Sequence, residues 1–293
     1  MEQKLSNIEQ LKKKEKNKKL IRTILTYTFL VMFAVIVLFP FYYMIVSSLK
    51  SFKEFSSEVT PTLFPKKVSF ESYQTALNSV TLLKFMKNSF IFASITTVLM
   101  LFISVTAAFA FARLEFRGRD LMFSIYLATM MIPMELFTIT NYATIVNLGW
   151  RNSFIGLILP SVLSVFYIYL LRQNFMQVPD ELYYAAKVDG TKDMNYLLKV
   201  LVPLSKPTLI FMTVLKFIEC WNSYVWPRLI IDESDSHNVV STAIEIIRTS
   251  GFGKENIPAM MAAVVMISVP LIVLFAVFRK QIMEGVSRNG LKG

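Results

Sequence analysis

Lys216 and Glu219 stand three residues apart inside an otherwise apolar stretch, and Asn222 follows three residues later. On a helix this spacing puts them along one side and brings the two charges within pairing distance. A charge in an apolar segment is costly unless it is paired or faces water, so these residues mark a candidate polar path. Glu135 lies in a second apolar stretch, Ser164 and Tyr167 lie in a third, and Trp221, Tyr224 and Trp226 flank Asn222. Aromatic faces combined with amides and carboxylates suit a solute that offers both C–H faces and many hydroxyls, as sugars do. The competing reading is structural. Trp and Tyr collect at membrane interfaces, and an ion pair can simply hold two helices together. Catalytic patterns are missing from the chain: it has no HExxH, no nucleophile elbow, no carboxylates at matched spacing and no GxxxxGK[ST] phosphate loop. Its single cysteine, Cys220, lies in an apolar stretch and its single histidine, His237, in a polar loop. That count excludes a disulfide framework and a Cys-rich metal site. No metal or cofactor is expected on this chain.

A second segment has a different character. Residues 179–190 read PDELYYAAKVDG, polar and ending in glycine, between two long apolar stretches. Pro179 suits the first helical position, and Asp180 and Glu181 suit the positive end of a helix. Leu182, Ala185, Ala186 and Val188 repeat at helical spacing. Asp189-Gly190 then stops the helix, because glycine accepts the left-handed conformation such a stop needs. Asp193 starts a second helix with Tyr196, Leu197 and Val200 on one face, and Pro203 and Pro207 mark entry to the next apolar stretch. The expected product is a short helix, a sharp turn and a second helix. Taken by itself, such a unit reads as an interfacial helix lying on a bilayer.

These segments need apolar elements to hold them. The chain has 293 residues, 54% hydrophobic and 17% charged, and the excess apolar content is gathered into blocks. Residues 23–49, 88–112, 152–171 and 256–278 carry no charge. The stretch 121–150 carries only Glu135, and its first part makes another span. The stretch 200–227 holds Lys206, Lys216 and Glu219 and is read as a span facing protein or water on one side. About 20 residues cross a bilayer core as a helix. The reading is therefore an all-α polytopic membrane protein with six spans. The net charge of +11 would suggest nucleic acid in a soluble protein, but here the basic residues flank apolar blocks and are read as topology signals instead. The basic tail before residue 23, Arg113, Arg117 and Arg119, then Arg172, Lys187, Lys192 and Lys199, and finally Arg279, Lys280, Arg288 and Lys292 all fall on one side of a six-span chain. The positive-inside rule makes that side, and both termini, cytoplasmic. Asp232, Glu233 and Asp235 then lie outside, and residues 179–190 lie inside. The first span is too long for a cleaved signal peptide. The organisation is a basic tail over 1–22, a six-span unit over 23–279 with its polar loop at 173–203, and a second tail over 280–293.

The loop from Pro179 to Pro207 resembles the cytoplasmic EAA signature of ABC importer permeases, between their fourth and fifth spans: Ala185, Ala186, Gly190 and Leu201-Val202-Pro203 match its general form. Pro179, Glu181, Leu182 and Asp189 match the longer version of the carbohydrate-uptake branch. Tyr184 stands where the family usually has its first Glu, so an acidic contact passes to Glu181, one turn away. Pro133, Leu148-Gly149, Gly156, Leu171-Arg172, the Trp221–Pro227 segment WNSYVWP and the ending EGVSRNGLKG extend the resemblance from about residue 21 to the C-terminus, where it is similar to the maltose-type second permease subunit. What the resemblance implies is a non-catalytic permease in a bacterial cell membrane. Its partners are a second, similar permease, two cytoplasmic ATPase subunits that bind ATP and Mg, and an extracellular solute-binding protein. Glu181, Leu182, Ala185, Ala186, Asp189, Gly190 and Pro203 are then the ATPase-coupling residues, with SRNGLKG as a second contact or a solvated tail. Glu135, Tyr167, Lys216, Glu219 and Asn222 line the path of a sugar or oligosaccharide. A glycerol-phosphate-type solute is the alternative, which would call on Lys216 and Lys206. A secondary transporter is another, but the chain has no convincing internal repeat.

Overall fold

A computed structural model describes residues 2–79, 82–249 and 256–290. Among them the regular elements are all helical. Three helices are long and apolar enough to cross a membrane over Glu15–Ser48, Leu82–Arg113 and Ile257–Met283. They belong to α1 (Glu2–Ser48), α4 (Leu82–Arg113) and α15 (Ile257–Gly290). Helices are the form that satisfies every backbone group within its own segment, as hydrocarbon requires. Between α1 and α4 lie α2 (Phe52–Ser57) and α3 (Glu71–Ser79). Helix α1 runs through Arg22 without a break, and α15 does the same through Arg279.

Three further pairs of helices pass the same test of length and hydropathy but are bent. The first joins α5 (Arg119–Ala128) to α6 (Thr138–Asn147) through two 3-10 turns, with a bend of 82°. Its break falls at Ile132-Pro133, where proline lacks an N–H and forces the residue before it into an extended conformation. The second joins α7 (Phe154–Val162) to α8 (Val165–Met176) with a bend of 46° at the extended pair Leu163-Ser164. The third joins the stretch Asp193–Leu204 to α12 (Lys206–Asn222) with a bend of 80° at Ser205. The sequence opens this fifth span at Val200, with Pro203 and Pro207 at its entry. Val200 belongs to a π-helical turn, Leu197–Leu201, whose inward side chains Leu197 and Leu201 are buried, and the run bends between those two prolines, at Ser205. Likewise the stretch from residue 121 is a helix from Arg119 that cannot continue past Pro133.

Helix α4 is the central element, packing against α8, α12 and α7. Asn88, Phe92, Thr96, Met100, Ser104 and Ala108 recur every fourth residue and are all buried, whereas Phe90, Val98 and Phe102 point outward. Small and polar residues on the inner stripe let neighbouring helices approach closely where lipid gives no hydrophobic reason to associate. The first helix differs: from Leu20 to Phe41 its large apolar residues are exposed all round.

The end of α4 that carries Asn88 is clasped by polar side chains. The Asn88 amide donates to the carbonyls of Ser236 and Asn238 at 2.8 Å each. The Asn238 amide in turn donates to the carbonyls of Asp232, Glu233 and Asp235. Beyond α1, Lys50 is wholly buried; its ammonium reaches the Glu58 carboxylate at 2.9 Å and the Thr62 hydroxyl at 2.7 Å. Burial pushes the Glu58 carboxyl up, but hydrogen bonds from Thr62 and Lys50 outweigh it and hold the group below its ordinary value. Removing one partner of a buried pair leaves the other charge uncompensated, at a cost of about 3–5 kcal/mol. Lys50→Met should therefore lower the thermal midpoint of the detergent-solubilised protein markedly, and Lys50→Met combined with Glu58→Leu should recover most of the loss; a thermal melt followed by Trp fluorescence measures both.

Candidate functional site

Two constellations emerge, one among the broken apolar helices and one at the end of α4 that carries Arg113. The first lies where two broken spans meet. A helix that stops leaves carbonyls and N–H groups without intrahelical partners. At membrane depth such backbone is tolerated only inside protein or along a water-filled cavity. A cavity of about 650 Å³ lies at both breaks, lined by Thr129, Ile132 and Asn141 from the α5–α6 pair and by Ser161, Leu163 and Ser164 from the α7–α8 pair. Lys216 and Glu219 of α12 complete its wall. Their side chains pair at 2.7 Å, and the Tyr167 hydroxyl donates to the other Glu219 oxygen at 3.2 Å. The Lys216 side chain is 3% exposed and the Glu219 side chain 58%, so the carboxylate faces open space while the ammonium sits behind it. Nearby, Pro160 cannot donate the N–H that would pair with the Gly156 carbonyl one turn earlier. The Trp226 indole takes that place at 3.1 Å. Gly156 is itself obligatory, because a Cβ there would sit 2.4 Å from the Trp150 carbonyl oxygen.

Of the five residues expected along the path, Tyr167, Lys216 and Glu219 come together. Asn222 does not join them: it is exposed at the end of α12 and lines a separate cavity of about 350 Å³ with Tyr224 and Ser241. Asn222 is the last residue of α12, one turn beyond Glu219, and there it opens onto Tyr224 and Ser241 instead of the larger cavity. Glu135 is exposed in the 3-10 turn Met134–Phe137 and is not among the residues lining the larger cavity. Ser164 lines that cavity, as its placement beside Tyr167 suggested. Trp221 is buried in the core rather than lining the path, and Trp226 is spent on Gly156.

The second constellation is the turn after α8. Helix α9 (Asp180–Val188) is followed by Asp189 and then Gly190 at φ 72°. The Thr191 N–H returns to the Ala186 carbonyl at 2.8 Å and the Gly190 N–H to the Lys187 carbonyl at 3.0 Å, a Schellman stop. Pro179 caps the helix from outside instead of occupying its first position, since its ψ of 139° is extended. Ala186 and Tyr183 turn inward onto the core, while Leu182, Tyr184, Ala185 and Val188 stay outside, so the expected stripe is split and Ala186 leaves it. Glu181 and Asp189 are exposed, and Pro203 is exposed on the short helix Val202–Leu204 beyond. The two limbs of the turn are locked by Asp193, which accepts from the Tyr183 hydroxyl at 2.8 Å and from Lys187 at 2.6 Å. The Lys187 bond, then the Tyr183 bond, hold the Asp193 carboxyl below the usual carboxylate range.

Sequence reasoning took Arg113 only as a topology signal. Its guanidinium is 3% exposed at the last residue of α4, ion-paired with Asp180 at the first residue of α9. It also donates to the Phe175 carbonyl at 2.7 Å and to the Val178 carbonyl. One cation thus meets the negative ends of α4 and α8 and the acidic first turn of α9. Arg172 reinforces the same end: it donates to the Phe111 carbonyl at 3.1 Å and lies 4.0 Å over the Phe123 ring. Partners 62 to 67 residues apart leave no periodic trace in a sequence.

The family described as binding-protein-dependent transport system inner membrane component matches residues 100–288, a range that contains both constellations. The chain belongs to this family. Among curated permeases, it is 33% identical over 270 residues to the sn-glycerol-3-phosphate transport system permease protein UgpE of Salmonella typhi, covering 90% of this chain and 95% of that one. It is 27% identical over 267 residues to the arabinooligosaccharides transport system permease protein AraQ of Bacillus subtilis, covering 90% and 94%. A chain in the crystal structure of a bacterial ABC transporter involved in the import of the acidic polysaccharide alginate superposes with a TM-score of 0.79 at 24% identity, covering 89% of this permease and 96% of that chain. The alginate transporter in complex with a pentasaccharide-bound periplasmic protein gives a TM-score of 0.65 at 16% identity, covering 94% and 96%. The likeness to both is one of fold.

Two predictions follow from the turn in this permease. No atom lies within 4 Å of a Cβ placed on Gly190, so substitution there is penalised by backbone conformation alone. Gly190→Val should cost about 1–2 kcal/mol and speed hydrogen exchange in peptides covering residues 185–196, whereas Gly190→Asn, which tolerates the left-handed region, should do so less. A carboxylate held below its unfolded value stabilises above that value, and the effect is lost as pH falls through the lower folded value. The turn should therefore keep constant protection from pH 8 to pH 5 and lose it only below about pH 4. Asp193→Asn should be fast-exchanging throughout.

Proposed function

We propose that this chain is the non-catalytic permease subunit of an ATP-driven ABC importer in a bacterial cell membrane. It crosses the membrane six times, each bent pair making one span, and both termini are cytoplasmic. It forms a translocation path with a second, similar permease, receives a sugar or oligosaccharide from an extracellular binding protein, and is driven by two cytoplasmic ATPase subunits that bind and hydrolyse the ATP. The names of the similar permeases and the family to which the chain belongs support this reading.

The observation that carries it is the Arg113 junction. A short capped helix is fastened at its first residue to the ends of two spans, and its outward face bears Leu182, Tyr184 and Val188, exposed at 46%, 58% and 88%. A rigid peg of this kind suits a groove on a moving partner. ATP-driven closure of the ATPases would move α9, and α4 and α8 would follow as stiff bodies. Glu181, exposed on the first turn, supplies the acidic contact for a basic residue on the partner. The second proposed contact, SRNGLKG, ends outside the described residues.

Leu182→Glu and Val188→Glu alter exposed side chains and should leave the permease folded and membrane-inserted. In proteoliposomes containing the complete importer they should reduce ATP-driven uptake, and the binding protein's stimulation of ATP hydrolysis, by tenfold or more. Wild-type values of both would mean that α9 is not the docking element.

A further inference from the structure

The charged residues among those lining the larger cavity are Lys216 and Glu219, one of each sign and bonded to each other at 2.7 Å. Tyr167 holds the second carboxylate oxygen, and the Lys216 ammonium lies 6.0 Å from the centre of the Tyr167 ring. The lysine is therefore buried behind its partner, and what the cavity presents is the exposed carboxylate. Lys206, the other basic residue of this span, is at its first position, ten residues and about 15 Å from Lys216 along the helix. The rest of the wall offers hydroxyls and an amide from Thr129, Ser161, Ser164 and Asn141, with aromatic faces from Tyr126 and Phe166.

We propose that the Lys216–Glu219 pair is a charge mask that makes this cavity selective for an uncharged, hydroxylated solute, with Glu219 as the residue that turns anionic solutes away. This rests on reading the chain as an importer subunit. A carboxylate or phosphate entering the cavity would find its one nearby cation already neutralised, and an acidic oxygen pair in front of it. Like charges brought together in a partly dehydrated space cost several kcal/mol. A neutral glycan meets no such penalty: its hydroxyls pair with the small polar side chains and with Glu219, and its C–H faces pack on the rings.

The test uses the complete importer with its binding protein in proteoliposomes. Uptake is measured for a neutral oligosaccharide, for an oligouronate of the same length and for glycerol 3-phosphate. Calorimetry reports which of these the binding protein holds. Wild type should take up the neutral glycan at least about tenfold faster than either anion at saturating binding protein. Glu219→Gln unmasks Lys216 and should raise the anion-to-neutral ratio about tenfold; Lys216→Met with Glu219→Gln should return it to the wild-type value. A merely structural pair would lower uptake of every solute together in Glu219→Gln and leave the anion-to-neutral ratio unchanged, so the ratio separates the mask from a structural role. Anion uptake matching neutral uptake in wild type, or a double variant no better than Glu219→Gln, overturns the mask. ATP hydrolysis without uptake of any solute overturns the importer reading instead.

Discussion

A peptide group left unpaired in hydrocarbon costs several kcal/mol, and that penalty decides where this chain can bend. Helices α1, α4 and α15 run through the apolar region without a break, and Pro40 in α1 and Pro270 in α15 each remove one N–H without ending either helix. Two of the three bent pairs, those broken at Ile132-Pro133 and at Leu163-Ser164, break onto the same cavity. The Lys216–Glu219 pair lies on that cavity too, because a charged pair at this depth needs the water and polar surface that broken helices also need. Backbone interruption, buried charge and open volume are thus three expressions of one constraint. The Gly156 carbonyl left by Pro160 is the small-scale version, answered by the Trp226 indole instead of by water.

Helix α4 ties this cavity region to both ends of the molecule. Asn88 and Arg113 are 25 residues apart, about 37 Å along the helix. At one end two asparagine amides gather the carbonyls of the loop around Asp232. At the other, one guanidinium gathers the last carbonyls of α8 and the first carboxylate of α9. Both clasps use multidentate side chains with planar geometry, which fix direction as well as distance. The buried Arg113 guanidinium thus joins the ends of α4 and α8 to the start of α9, whose Asp180 partner faces solvent.

Much of this was legible in the residue order. Charge-free blocks are a signal of composition and length, and they located the apolar stretches. Asp189-Gly190 foretold a left-handed stop because few other pairs tolerate one, and Gly190 adopts it. Lys216 and Glu219, three apart on one helix, had to be neighbours, and they pair. What could be read was local: it depended on helical period or on the conformational limits of Gly and Pro. The same logic failed where a helix ended or turned. Asn222 was projected onto the face of Glu219, but at the last turn of α12 it lines a second cavity and not the first. The 80° bend at Ser205 had no signal in the sequence beyond the flanking Pro203 and Pro207.

The sequence alone therefore determined the class of the protein, the apolar blocks, the short capped helix and one ion pair, since each follows from hydrophobic run length or from contacts within one helical turn. The tertiary structure alone decided that two broken spans share one cavity, that Tyr167 joins the pair across 52 residues, that Ala186 faces inward, and that Arg113 fastens α9. Those outcomes depend on which helices lie side by side, and packing between distant segments is set by shape and by the satisfaction of buried polar groups, neither of which has a period that a linear sequence can display.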